Sequence, residues 1–336
     1  MILLILLISA LLFQSCKSPT SPEGAKLGRR DYTWTVDTLI IPYSSVYRMW
    51  GNDPNNVWAI GSAGDFDKTI YHYDGNSWKT DGIYRPLNPS SIFGFSANNI
   101  WIGGGNGEFY HYDGTSWNYV SKLISDIGEF IDFENIWGEG SSDIFAVGAY
   151  EDSNLLNNNG VIAHYDGTSW KLLNIRTNSS LLSLYQDKNG QYLVSGIKYG
   201  LIDTSKLFLF KNNEVTQIYS GADNNITGAY IHKIGEEIVI TIGKKLYTYS
   251  NNSFVPYISF DNSSFTGEAS GRSSEDLFLV MSDGLAHYNG VDVQYLFKLN
   301  NPNLYWTAVV ILPNAVFYSF WDHTTGKNYI YKGVLK

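Results

Sequence analysis

The sequence contains a single cysteine, Cys16. A disulfide framework and a cysteine-bound metal are both excluded by that count. Charge is sparse as well: Asp, Glu, Lys and Arg make up 16% of the 336 residues, and no basic run exceeds a pair, at Arg29-Arg30 and Lys244-Lys245. With a formal net charge of −9, the chain lacks the basic surface that a phosphate backbone needs, so nucleic acid is excluded as the main partner. The short signatures of common chemistry are missing too. There is no G-x-S-x-G, no H-E-x-x-H, no phosphate loop and no EF-hand loop. The glycine-rich stretch at 104–107 lies between two strand-like runs with no helix after it, so it is no phosphate cradle. The sequence therefore implies no cofactor and no metal. Long hydrophobic runs are confined to residues 2–13, ILLILLISALLF, well short of the roughly 20 residues that span a bilayer as a helix.

Aromatic residues, by contrast, are plentiful at 15%, with 25 Tyr and 10 Trp, a profile that suits many short strands. They recur in register. HYDGTSW occurs at 111–117 and again at 164–170, HYDGNSW stands at 72–78, and a decayed copy, HYNGVDV, at 287–293. Each full copy follows an aromatic-Gly pair and an apolar run: Trp50-Gly51 and VWAIG, Phe93-Gly94 and IWIGG, Trp137-Gly138 and IFAVG. The unit reads as four strands, the last two joined at Asp-Gly, which predicts a type I′ turn with positive φ at both central positions. Asp74, Asp113 and Asp166 recur at intervals of 39 and 53 residues, the period of a β-propeller blade. The expected fold is an all-β propeller of seven four-stranded blades. Strand-like runs place blades at 45–81, 88–120, 133–173, 181–219, 226–258 and 265–297. The last segment, 304–336, supplies only three strands, and the isolated run 32–41, YTWTVDTLII, supplies the fourth. That pairing closes the ring and leaves no open sheet edge.

Several stretches resemble known families. FQSC at 13–16 is similar to a bacterial lipobox of the relaxed Bacteroidetes type, with Ser15 before the cut and Cys16 as the lipidated first residue. It departs from the usual pattern in having Phe13 in place of Leu and no Lys or Arg ahead of the apolar run. Lys17 follows the cysteine rather than the Asp of inner-membrane retention. The resemblance implies a signal peptide at 1–15, a lipidated cysteine and flexible tether at 16–31, and one propeller domain at 32–336. It also implies a lipid anchor in the outer membrane of a Gram-negative bacterium. The repeats themselves resemble those of secreted or lipid-anchored bacterial propellers, and QDKNG at 186–190 resembles the blades of two-component sensor propellers. The adjacent Asp and Gly differ from the Asp-box of sialidase-like propellers, which keeps one residue between them.

Repetition also separates structure from function. His72, His111, His164 and His287 share one register, as do Asp74, Asp113 and Asp166, their partners Gly75, Gly114 and Gly167, and Trp78, Trp117 and Trp170. A site needs different groups converging on one point, so these residues are expected to be structural. Function in a propeller sits on the face carrying the blade-to-blade loops and the loops between second and third strands. Those loops hold Asp65, Asp67, Tyr84, Arg85, Glu129, Asp132, Tyr150, Glu151, Asp152, Tyr199, Trp321, Asp322 and His323. The insert at 149–160 and the Trp-Asp-His at 321–323 break the repeat and head the set. The expected role is a non-catalytic, membrane-anchored binding module for protein or glycan. The alternative is a carbohydrate-active enzyme, which requires loop carboxylates to converge on the central channel.

Overall fold

The computed structural model describes residues 28–41, 44–62, 65–126, 130–151, 158–175, 177–224, 226–258 and 262–336. Cys16, the leader and most of the tether, Glu129 and Asp152 lie outside these residues. Strand β1 (Tyr32–Leu39) precedes the first complete blade. Blade one is β2 (Arg48–Asp53), β3 (Asn56–Ile60), β4 (Ile70–Tyr73) and β5 (Trp78–Lys79). Blade two is β6 (Pro89–Ser96), β7 (Asn99–Gly104), β8 (Glu108–Tyr112) and β9 (Trp117–Lys122). Blade three is β10 (Asp132–Gly140), β11 (Asp143–Glu151), β12 (Asn158–Tyr165) and β13 (Trp170–Leu172). Blade four follows with β14 (Ser180–Gln186), β15 (Tyr192–Lys198), β16 (Thr204–Lys211) and β17 (Glu214–Ala222). Blade five has β18 (Ala229–Ile234), β19 (Glu237–Ile242), β20 (Lys245–Ser250) and β21 (Ser253–Pro256). Blade six has β22 (Phe265–Ser273), β23 (Asp276–Met281), β24 (Gly284–Tyr288) and β25 (Val293–Lys298). Blade seven takes β26 (Leu304–Ile311), β27 (Ala315–Asp322) and β28 (Lys327–Leu335), and β1 completes it in the order β1-β28-β27-β26. Its register runs from Tyr32 opposite Leu335 to Leu39 opposite Asn328. The chain is a seven-bladed all-β propeller, closed as the sequence predicts.

Among the described residues there is no single core. The buried side chains fall into seven clusters, each between two neighbouring blades: Phe109, Phe133 and Trp170 join blades two and three, and Phe278, Val316 and Tyr318 join blades six and seven. Hydrophobic burial is spent between blades, which leaves the axis as a channel where polar side chains are tolerated.

The repeat has a packing explanation. Each register histidine bonds an Asn or Asp at the start of its blade's second strand: His72 to Asn56 at 2.7 Å, His111 to Asn99 at 2.9 Å, His164 to Asp143 at 2.7 Å and His287 to Asp276 at 2.6 Å. The imidazole then lies over the aromatic ring two residues further on, with Trp58, Trp101, Phe145 and Phe278 all within 4.8 Å of it. Outer-strand tryptophans staple one blade to the one before. Trp117 meets Trp58 edge-on at 5.3 Å, and Trp170 meets Trp101 at 5.8 Å while stacking on Phe109. Such ring pairs add roughly 0.5–1.5 kcal/mol each beyond the area they bury. The glycine ending VWAIG, IWIGG and IFAVG is equally structural. A Cβ on Gly61, Gly104 or Gly148 would overlap the carbonyl oxygen of Ser45, Asn88 or Asp132, where the chain enters the adjacent inner strand.

One expectation is corrected. The Asp-Gly pairs do not form two-residue type I′ turns, since φ is positive at Gly75, Gly114 and Gly167 but not at the preceding aspartates. The turn is four residues long and built on the side chain: Asp113 Oδ1 accepts the amides of Thr115 and Ser116 at 2.8 and 3.0 Å, and Asp74 and Asp166 do the same. These donors hold all three carboxyls well below the usual carboxylate range, led by Lys79 at Asp74, Thr115 at Asp113 and Lys171 at Asp166. Positive φ at both central positions occurs instead at Asn212-Asn213 and Asn251-Asn252, where Asn tolerates the left-handed region.

Candidate functional site

Five of the seven inner strands that line the channel are interrupted near their starts. Their pairing to the second strand slips at Pro89/Ser91, Phe133/Asn135, Leu181/Ser183, Phe265/Ala269 and Trp306/Ala308. A bulge leaves its extra residue without a ladder partner and re-aims its side chain. Here it frees Glu134 on β10 and Glu268 on β22 at the loop-face end of the channel.

A polar cluster results. Tyr47 donates its phenol to Glu134 Oε2 at 3.0 Å, and the Arg48 guanidinium lies 4.7 Å over the Tyr47 ring while donating to the Tyr47 carbonyl at 3.0 Å. Ser90 donates to Asp132 Oδ1 at 2.7 Å. On the far side, His232 on β18 bonds Thr241 at 2.9 Å, and its Nδ1 stands 3.8 Å from Glu268 Oε2. Burial pushes Glu268 up to about 7, against the opposing pull of Arg48, and pushes His232 down to about 4. Both shifts oppose charge separation, so the close His232–Glu268 approach is not an ion pair at neutral pH. The Glu268 side chain keeps 29% of its surface open to channel water, yet protein surrounds it, and that enclosure sets its acidity. Glu134 is also raised, first by burial and then by Asp132, with Arg48 and the Tyr47 phenol pulling the other way. A carboxyl that titrates near neutrality can exchange a proton or take up a ligand cation, and Arg48 can receive a carbonyl or carboxylate.

The loop face also carries exposed apolar side chains. Tyr84, Tyr199, Leu201, Ile202 and Ile226 are exposed on its loops and Tyr305 at the start of β26, whereas on the opposite, turn-bearing face Val291 is the exposed large apolar side chain among the described residues. Tyr199 reaches toward the cluster, for its phenol is raised by burial and by the negative charges of Glu134, Asp203 and Asp223. The arc continues through Tyr230, which donates to Asp223 at 2.9 Å.

The residues expected from sequence are scattered over this face. Trp321 and His323 stand beside Tyr305 on blade seven, with the His323 ring 5.2 Å from Tyr305 and 6.4 Å from Trp321. Asp322 between them is buried and holds the turn: it accepts from Thr324 and from Asn301 and is lowered to about 2, chiefly by the Thr324 hydroxyl. Arg85 is buried against Asp81, with two bonds of 2.9 and 2.7 Å. Asp65 pairs with Lys68 at 3.1 Å, the Asp67 carbonyl accepts from Thr80 at 2.9 Å, and Tyr84 stacks edge-on against Phe66 at 5.6 Å. Tyr150 donates to Asp126 at 3.3 Å, and Glu151 ends β11. Of the sequence candidates, Asp132 and Tyr199 border the channel cluster. Arg48, Glu134, His232 and Glu268 were not anticipated. A signal existed: in RMWG, ENIWG and EASG a charged residue stands a few positions ahead of the glycine that marks each inner strand.

Fold and site together define the protein as a seven-bladed propeller with a polar cluster at the loop-face end of its channel. Its likenesses to solved structures agree on that class. YCF48 bound to a D1 peptide superposes with a TM-score of 0.61 at 14% identity, over 92% of this chain and 100% of that one. The Cps50 (Swd1) β-propeller domain of Myceliophteria thermophila gives 0.58 at 10% identity, over 88% and 99%. The extracellular domain of BT4673, a putative one-component system of B. thetaiotaomicron, gives 0.58 at 14% identity, over 88% of this chain and 39% of that one. At these identities the likeness is one of fold. No protein-family model matches the sequence, and no curated protein matches it.

Proposed function

We propose that this propeller is an extracytoplasmic, membrane-tethered binding module that takes a peptide or protein segment across its channel mouth. The observation that carries the reading is the asymmetry of the surface: exposed apolar side chains lie on the loop face, the end of the channel at which Arg48, Glu134 and Glu268 stand, and the turn face has few. Large exposed apolar patches rimmed by polar groups mark interaction sites. Two further points support it. The YCF48 structure, which shares the fold, holds a peptide. The lipobox-like FQSC at 13–16 supports Cys16 as the anchor, and β1 begins at Tyr32 on the turn face, away from the proposed site. Among the described residues no helix is long and apolar enough to cross a membrane, so a tether through Cys16 would supply the attachment; Cys16→Ala should then release the protein into the soluble fraction. The test of binding is a displayed peptide library panned on the purified protein. The reading expects a saturating peptide whose binding falls in Leu201→Ser/Ile202→Ser and survives in Val291→Ser. Equal binding by both variants would remove the loop face from consideration.

A second reading has one specific observation in its favour. Glu268 and Glu134 both approach one channel under the field of Arg48, and an acid near 7 is suited to proton donation at neutral pH. Under that reading the protein is a carbohydrate-active enzyme, and glycosidic-bond cleavage abolished by Glu268→Gln would establish it.

A further inference from the structure

Strand β22 carries the widest of the five inner-strand bulges: Thr266, Gly267 and Glu268 stand opposite the single residue Val280 of β23. Gly267 makes it possible, because its φ of +101° lies where glycine alone goes without strain. Thr266 braces the bulge by donating to the Val280 carbonyl at 2.9 Å. Two groups are thereby delivered to blade five. The Gly267 carbonyl accepts the Thr241 hydroxyl at 2.7 Å, and the Glu268 carboxyl faces His232, with Oε2 3.8 Å from Nδ1.

These contacts fix the imidazole. A carbonyl has no proton to give, so the proton between Thr241 and Gly267 belongs to the threonine. Thr241 can then only accept from His232, whose Nε2 lies 2.9 Å away. His232 therefore carries its ring proton on Nε2 and turns the Nδ1 lone pair toward Glu268. The His232 side chain is 9% exposed, and burial disfavours its charged form, so this tautomer persists at neutral pH. Nδ1 and Oε2 are too far apart to bond each other. A donor lodged between them satisfies both.

A primary ammonium suits this pair. It carries three diverging N–H bonds, enough to reach acceptors on two different residues. A guanidinium instead presents a parallel fork, shaped for the two oxygens of one carboxylate. Charge points the same way. Burial holds both Glu134 and Glu268 toward their neutral forms, and the Arg48 guanidinium pulls against it at each. A second cation beside Glu268 lets both carboxyls ionise, whereas an anion at Arg48 would cancel the one charge that favours ionisation.

We propose that His232 Nδ1 and the Glu268 carboxyl form a subsite for a primary ammonium, the group carried by a lysine side chain or a chain N-terminus. The subsite rests on the peptide-binding reading of the channel mouth and states which group of the peptide enters. Small probes test it without any peptide. n-Butylammonium stands for lysine and glycinamide for an N-terminus, with N-butylacetamide and n-butylguanidinium as the neutral and forked comparisons. Each is titrated into the purified protein while NMR follows the His232 ring nitrogens and the Glu268 carboxyl. The expected result is saturable shifts at both residues with an ammonium probe, roughly tenfold or more weaker binding of the comparisons, and loss of that preference in Glu268→Gln. Circular dichroism checks the fold of the variant. Affinity for n-butylammonium should also rise about tenfold from pH 6 to pH 8, as Glu268 ionises through about 7. The groups that face Glu268 keep their charge over this range: Arg48 stays cationic, burial raises the phenols of Tyr185 and Tyr230, and it lowers His232. Binding of only one ammonium probe would support the subsite and assign its source. Failure of both to bind would overturn it, as would equal binding of N-butylacetamide, tighter binding of n-butylguanidinium, or unchanged binding in Glu268→Gln. Those failures leave the peptide reading to Leu201→Ser/Ile202→Ser, and ammonium binding without any selected peptide would keep the subsite and sink that reading.

Discussion

Glu268 makes the electrostatics of the channel measurable. In the unfolded chain its carboxyl titrates at 4.5, and in the folded protein at about 7. The folded state therefore holds the proton more tightly. The stability that this confers is fully present below pH 4.5 and is lost as pH rises through 7. At 1.36 kcal/mol per unit, the full shift corresponds to about 3 kcal/mol, and the channel water reaching the side chain reduces this to about 2. The groups that face Glu268 are Arg48 on β2, Tyr185 on β14, and Tyr230 and His232 on β18. Only Arg48 opposes the shift. Glu268→Gln keeps the shape and removes the titration. Relative to the parent, the variant should gain about 2 kcal/mol between pH 5 and pH 8, read as urea midpoints by tryptophan fluorescence at several pH values. A difference that stays flat over this interval, or one that favours the parent at pH 8, would refute the burial argument.

Further outcomes follow from the same geometry. His232 carries the opposite sign: lowered from 6.5 to about 4, it contributes stability above pH 6.5 that is lost as pH falls through 4, so His232→Gln should flatten the acid limb of the stability curve. Arg48→Gln removes the charge that restrains Glu268 and should carry its titration above 7, visible in the carboxyl resonance by 13C NMR. Gly148→Ala forces a methyl group into the Asp132 carbonyl and should cost about 3 kcal/mol or more, seen as a lower unfolding midpoint. Removal of residues 28–39 exposes the β28 edge along its whole register, and concentration-dependent association in sedimentation should follow.

The sequence displayed the fold because blade packing repeats: each HYDG copy carries the histidine, ring and turn that one interface needs. Blade seven was legible from a count, three strands at one end and one at the other. Blades four and five carry little of the motif, and strand runs with their Lys-Asn-Gly, Gly-Glu and Asn-Asn turns placed them. The channel cluster was harder to read, for Arg48, Glu134 and Glu268 look like isolated charges in apolar runs until the inner strands bring them to one axis, the two glutamates at bulges. Two loop residues have local partners that the sequence does not show. Asp322 and Arg85 break the repeat as site residues would, but a turn and a buried ion pair occupy them.

Hydrogen exchange of the protein with and without its best-binding library peptide tests the central claim most directly. Binding across the channel mouth predicts slowed exchange in the loop segments 199–203 and 226–229 and at the bulged residues of β10 and β22, with the Asp-Gly turns at 74–77 and 113–116 unchanged. Protection confined to those turns or to the outer strands would contradict it.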